Sequence, residues 1–404
     1  MGMLHPRRPA PRLGLCLGLC LALFAGALGS GCASAPPPKP VMEASTLLAD
    51  GLFASPGTPF DAKSLFALDD AMRAYVQNRL PLVRPDKDNR RALLQALFES
   101  TELKLRYDGG YTRTAAEAFS ARAGNCLSLV IMTAAFAKHL DVPLEYRSVA
   151  VPDTYSRSGE LYMASRHVNL SLGPPTSTKA VYRSDQGHWL TVDFLPAEDL
   201  GRQRVTTLTE AAIVAMYLNN RAAEALSDGS VDQAYHWARL ALLQDPQFVT
   251  AINTLAVVYQ RAGHLPQAEQ ALRRVLLAEP ENTAALSNLA GLLERTGRSD
   301  EAAAVALKLA RLQPVPPFHD FNLGRQAMAA GDFASARKHF DAELQRQPYQ
   351  DEVHFWLAQA HWRLGHAEEA RQHLKLAAEN SITDSSQARY AAKLALLKGP
   401  VQAH

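Results

Sequence analysis

The sequence predicts two parts of different class: an α+β domain, built as a central helix packed on an antiparallel sheet, followed by an all-α solenoid. Three observations lead there. The run Leu127 to Leu140 is apolar nearly all round, as a buried helix is. After Asp141-Val142-Pro143 the pattern turns to strands at Leu144 to Val151, Arg166 to Leu172, Ala180 to Arg183 and Trp189 to Phe194. From about residue 215 the chain repeats itself every 34 residues.

Bulk composition bounds the partners. The 404 residues suffice for two or three domains with full cores. Forty-two basic against 40 acidic residues argue against a polyanion surface, so no nucleic-acid partner is expected. Cys16 and Cys20 lie in an N-terminal apolar run, Cys32 ends it, and Cys126 stands alone in the body. A disulfide framework is therefore impossible there, and neither a metal nor a cofactor is expected. A solitary thiol is either an inert core cysteine or one that is used.

Residues 1–31 read as a secretory signal. Arg7, Arg8 and Arg12 precede an apolar core, Leu13 to Leu28, that is short for a membrane span. Cleavage there removes three arginines and no acid, so the net charge of +2 becomes −1. The ending Leu28-Gly29-Ser30-Gly31-Cys32 resembles a bacterial lipobox, with its leucine one residue further out than usual. That resemblance implies lipidation at Cys32. Ala33 next to it implies an outer-membrane lipoprotein of the bacterial envelope, facing the periplasm and touching the membrane through lipid only. An ordinary cleaved signal is the other reading. Within residues 32–59, Ala35-Pro36-Pro37-Pro38-Lys39-Pro40 reads as a stiff tether.

The α+β domain is expected over residues 60–198. Helical spacing joins Leu65, Leu68, Met72, Tyr75 and Val76, and a second helix is expected from Asn89 to Tyr107, where Asp108-Gly109-Gly110 breaks it. Thr114-Ala115-Ala116-Glu117 has capping-box form and opens a short helix through Phe119. Asn125 suits the N-cap of the helix that begins at Cys126.

Strand parity selects partners for the thiol. His167 shares a strand face with Asn169 and Ser171, and Asp193 lies opposite the apolar face of its own strand. If the two strands pair, His167 and Asp193 meet. His188 has the wrong parity, and His139 lies roughly 20 Å along the helix from the thiol. A thiol nucleophile needs a base and a polar group that fixes the base's tautomer. Cys126, His167 and Asp193 offer nucleophile, base and orienter, and a helix N-terminus favours a thiolate. Each also has a bland reading as a buried cysteine, a strand-face histidine and a turn aspartate.

Arg122-x-Gly124-Asn125-Cys126 at a helix start, His167-Val168-x-Leu170 in one strand and Trp189-x-x-Val192-Asp193 in another resemble the transglutaminase-like, papain-related cysteine superfamily. Thr114, Ala116, Glu117 and Phe119 resemble its bacterial lead-in, and the likeness covers roughly residues 85–198. It implies amide chemistry through a thioester, either hydrolysis or transfer to an amine, with Cys126 as nucleophile, His167 as base and Asp193 as orienting acid. The Cys126 backbone N–H is half of an oxyanion hole whose other half is not identified. Some members keep the scaffold without activity, so a non-catalytic domain is the alternative.

After a linker at 199–214, Pro246, Pro280, Pro314 and Pro348 are 34 apart, as are Gly229, Gly263, Gly297, Gly331 and Gly365. Ala234, Ala268, Ala302, Ala336 and Ala370 keep the same register. Glycine turns the chain between two helices, alanine lets them approach, and proline stops the second. The pattern resembles five tetratricopeptide repeats over 215–384, closed by a capping helix at 385–398. Leu255, Leu289, Leu323 and Leu357 form the first-helix core, and Arg221 replaces them in an atypical first unit. Such arrays bind proteins or peptides on a concave face, here expected to carry Asn253, Gln260, Arg261, Ser287, Glu294, Arg295, Phe321, Arg325, Phe355, Gln359, Trp362 and Arg363. Arg261, Arg295 and Arg363 are equivalent; they either clasp carboxylates or sit at the negative ends of their helices. The expected whole is an anchored, thiol-dependent amide hydrolase or transferase with a docking array, or else a non-catalytic adaptor.

Overall fold

A computed structural model of the chain describes residues 44–54, 60–79, 89–99, 103, 105–158, 161–174, 188–194, 205–381 and 384–397. The signal, Cys32, the proline tether and the expected strand at 180–183 lie outside the described residues. Among those described, no helix is long and apolar enough to cross a membrane.

The helix expected from residue 60 is divided. A 3₁₀ turn at Ala62–Phe66 precedes α1, Asp70–Arg79. The next helix is also shorter than its spacing implies: α2, Asn89–Leu94, runs into a wider turn at Gln95–Glu99. The chain is then extended as β1, Arg106–Tyr107, instead of helical. Pairing explains the change. β1 lies parallel to β2, Ala123–Gly124, and Asp108 N–H donates to the Gly124 carbonyl at 3.0 Å.

Between them sits α3, Ala115–Ala121, started by both halves of the expected capping box: Thr114 Oγ1 accepts from Glu117 N–H, and Glu117 accepts from Thr114 N–H. Arg122, at φ 51°, turns the chain sharply from α3 into β2. Helix α4, Cys126–His139, then begins on Asn125, whose Oδ1 accepts from Ser128 N–H at 2.9 Å. Every residue from Leu127 to Ala137 is buried, so α4 is the centre of the domain, as its all-round apolarity requires.

Helix α4 packs on an antiparallel sheet of order β5-β4-β3-β6, made of β3 Leu144–Ser158, β4 Leu161–Leu172, β5 Leu190–Val192 and β6 Val205–Leu208. The linker expected at 199–214 is partly structure. Its Val-Thr-Thr-Leu stretch has β-branched side chains and pairs as β6 with Tyr146–Val149.

The array begins at α5, Glu210–Ser227, capped by Thr209, and not at residue 215. It continues as α6 Val231–Gln244, α7 Val249–Arg261, α8 Leu265–Ala278, α9 Thr283–Arg295, α10 Ser299–Leu312, α11 His319–Ala330, α12 Phe333–Arg346, α13 Asp351–Arg363, α14 Ala367–Asn380 and α15 Asp384–Leu397. The five registered glycines all hold φ between 73° and 82°, which is why glycine recurs there. One core runs without interruption from α1 and α4 through α5 to Ala302 of α10. A second core, around Phe318, Phe321, Phe340 and Leu357, serves the last repeats. The break follows Pro314, Pro316 and Pro317, where Phe318 itself adopts φ 57°.

Candidate thiol site and repeat array

Three elements deliver the site. The start of α4 supplies Cys126, β4 supplies His167, and the residue after β5 supplies Asp193. The register Leu170↔Val192 carries the pairing onward to Asn169 opposite Asp193, with His167 on the diagonal of the same face. His167 Nε2 lies 2.7 Å from Asp193 Oδ1 and 2.9 Å from Oδ2. Asn169 Nδ2 donates to Oδ2 at 2.7 Å, so the carboxylate is held from two positions of one strand. The sequence carried this second anchor in the strand parity, which put Asn169 beside His167.

His167 is 4% exposed. Burial alone would depress its pKa, but hydrogen bonds to Asp193 and Cys126, and their charges, outweigh burial and raise it to about 9. Nε2 is committed to Asp193, which leaves Nδ1 as the other ring nitrogen. An imidazole in this state is protonated at neutral pH. His188 and His139 are both exposed and take no part. The His188 carbonyl instead accepts from the buried Arg90 at 2.6 Å, tying α2 to the segment that carries Asp193.

Tyr107 is the residue that sequence patterning missed. The β1–β2 pairing sets it beside Gly124, at the start of α4, where it feels the charge of Cys126. Burial of the Tyr107 hydroxyl, followed by the charge of Cys126, pushes its pKa far up, so it stays a protonated donor. A two-residue strand has no periodicity to read, and only the Asp108-Gly109-Gly110 break marked the place. Ser128, buried under Gly124, completes the loop: it donates to Asn125 Oδ1 at 2.8 Å and accepts from Arg113 N–H at 2.8 Å. Among the described residues, no three His, Cys, Asp or Glu side chains are grouped to hold a metal ion.

On the array, Asn253 accepts from Asn288 at 3.1 Å, and Arg295 donates to Gln260 at 3.1 Å. Arg261 is exposed, and Trp362 is 43% exposed. Arg325 stacks over Trp356 at 4.7 Å and lines a groove of about 430 Å³ with Asn322, Gln326 and Ala329. Two expectations are corrected. Phe321 is fully buried against Phe318 and Phe340, because a large apolar ring gains more from the core than from a solvated face. Phe355 faces the capping helix, with its ring 5.1 Å from Tyr390. Arg363 stacks on Phe333 at 4.3 Å.

Residues 253–315 and 321–385 match the tetratricopeptide repeat model. No curated protein sequence matches the chain. Similar solved structures include MamA MSR-1, at 23% identity over 41% of this chain and 95% of that one, with a TM-score of 0.24. A thermophilic tetratricopeptide protein of Thermus thermophilus, TTC0263, shares 20% identity over 45% of this chain and 99% of that one, with a TM-score of 0.30. PilF of Pseudomonas aeruginosa shares 22% over 47% and 94%, with a TM-score of 0.27. The repeat match shows that the C-terminal region of this chain carries tetratricopeptide repeats.

Proposed function

We propose that this chain is a protein-interaction adaptor of the bacterial envelope whose repeat array docks protein or peptide partners. The repeats carry this reading, since arrays of this kind bind extended segments. The groove beside Arg325 and Trp356 supplies a cationic and aromatic place for one. A peptide-display selection on the full chain tests it, with Arg325→Ala and Gln326→Ala as groove variants. Selected peptides that bind both variants as tightly as wild type would overturn the assignment of the groove.

A second reading is favoured by one specific observation, the convergence of Cys126, His167 and Asp193. It makes the α+β domain a transglutaminase-like, thiol-dependent amide hydrolase or transferase. The Cys126 thiolate would add to an amide carbonyl, with the oxyanion met by the Cys126 N–H and the Tyr107 hydroxyl. His167 would give its proton to the departing amine, and water or a second amine would then take the acyl group from sulfur. Iodoacetamide labelling separates this from an inert scaffold. The catalytic reading expects native Cys126 to react faster than an unstructured thiol and His167→Ala to abolish the difference. Equal rates leave the adaptor alone. The envelope anchor is a separate proposal at Cys32, and radiolabelled palmitate should mark wild type but not Cys32→Ser.

A further inference from the structure

Helix α5 belongs to the array, yet its side chains end in the loop that positions the thiol. Glu224 accepts from the backbone N–H of Thr112 at 2.7 Å. The Thr112 hydroxyl accepts from Asn220 at 3.2 Å, one helical turn before Glu224. Its other lone pair accepts from Asn125 Nδ2 at 2.9 Å. Both acceptor sites of the hydroxyl are therefore used, and Thr112 is buried.

Asn125 is the far end of this chain of contacts. While its Nδ2 holds Thr112, its Oδ1 accepts from the N–H and hydroxyl of Ser128, which fixes the first turn of α4 directly after Cys126. The array also supplies charge. Arg221 pairs with Glu224 at 3.0 Å, and this arginine stands where the other repeats carry Leu255, Leu289, Leu323 and Leu357. An apolar core residue has been exchanged for a cation beside a half-buried carboxylate. A closing repeat that merely shielded the array's core would not need that exchange. Behind the polar contacts, Ile213, Tyr217 and Leu218 of α5 share one core with α4, so α5 cannot shift without α4 feeling it.

We infer that α5 is a positioning element for the thiol: Asn220 and Glu224 hold Thr112, Thr112 holds Asn125, and Asn125 sets the N-terminus of the helix that begins with Cys126. The first repeat thereby couples the docking array to the site, and this rests on the thiol-dependent reading above. Glu224 and Thr112 act through Asn125 and touch no reacting atom.

The test is the pH profile of iodoacetamide labelling at Cys126 in the full chain, with folding followed by near-UV circular dichroism. Thr112→Val and Glu224→Ala are expected to slow labelling at neutral pH by about tenfold and to move the profile, as a misplaced reactive group does. Thr112→Ser and Glu224→Gln, which keep an oxygen in place, are expected to restore most of the rate. Asn220→Ala removes one contact without stranding a buried charge, and it is expected to give a smaller slowing in a fully folded chain. Wild-type rates and profiles in Thr112→Val and Asn220→Ala would overturn the coupling while leaving the thiol reading intact. A wild type that labels no faster than His167→Ala would overturn the thiol reading, and the coupling with it.

Discussion

His167 and Asp193 are 26 residues apart in sequence, yet Nε2 of one lies within 2.9 Å of both carboxylate oxygens of the other. That contact decides the charge of the imidazole. The folded pKa, about 9, lies above the ordinary 6.5, so the interaction is fully present below pH 6.5 and is lost as pH rises through about 9. Asp193→Ala leaves burial to act without opposition from Asp193. The His167 titration followed by NMR should then fall by more than one pH unit. A titration that stays near 9 would show that Asp193 does not govern it.

Tyr107 gives a sharper test of the chemistry. It lies opposite Gly124 at the start of α4, where an oxyanion would form, and the phenol ring can be kept while its hydroxyl is removed. If the domain is an amide hydrolase or transferase, Tyr107→Phe should lower kcat by about a hundredfold, the usual cost of losing one oxyanion donor. The thermal midpoint should move little. Unchanged turnover would remove Tyr107 from the mechanism.

The array also makes a packing prediction within a single register position. Ala256, Ala290 and Ala358 align with Gly324, and Leu272, Ala306 and Leu374 align with Phe340. A Cβ on Gly324 would stand 2.5 Å from the buried Phe340 ring. The glycine therefore compensates the larger partner. Gly324→Ala should destabilise the last repeats by about 1–3 kcal/mol in chemical denaturation. Gly291→Ala meets nothing within 4 Å and should stabilise its helix by up to about 1 kcal/mol.

These residues also mark what the sequence discloses. Periodic features were legible because geometry repeats them: each registered glycine sits at positive φ, and strand alternation brought His167 to Asp193. Local caps were legible too, at Thr114 and Asn125. Features set by tertiary pairing were not. Nothing in the spacing makes Tyr107 a strand residue, since its β2 partner Gly124 imposes that from 17 residues away. Arg221 was visible as an exception, but its reason, Glu224 gripping a buried threonine, needs the folded loop. Phe321 broke the register rule because the core after three prolines had room for its ring.

The last repeat predicts a response to acid. His354 and His373 occupy the positions of Leu286 and Val305, two repeats earlier, and their Nδ1 atoms lie 3.1 Å apart. His354 Nε2 bonds to the Pro348 carbonyl at 2.9 Å, and His361 stacks on His373 while bonding to His366. Such a network is satisfied when the rings are neutral. Burial lowers the pKa of His354 and His361. Burial and then the two neighbouring histidines bring His373 to about 4. Asp341, Glu369 and Arg337 also face His361, and Glu369 faces His373; the acids oppose the shift without cancelling it. Because these folded values lie below 6.5, the unfolded chain binds more protons as pH falls. The stability is present above pH 6.5 and is lost between 6.5 and about 4. Hydrogen exchange should show α13 and α14 losing protection across that window before α7 and α8 do. His354→Leu combined with His373→Val, which restores the apolar pair of the third repeat, should flatten the response. Equal protection loss in all repeats, or an unaltered response in the double variant, would assign the acid sensitivity elsewhere.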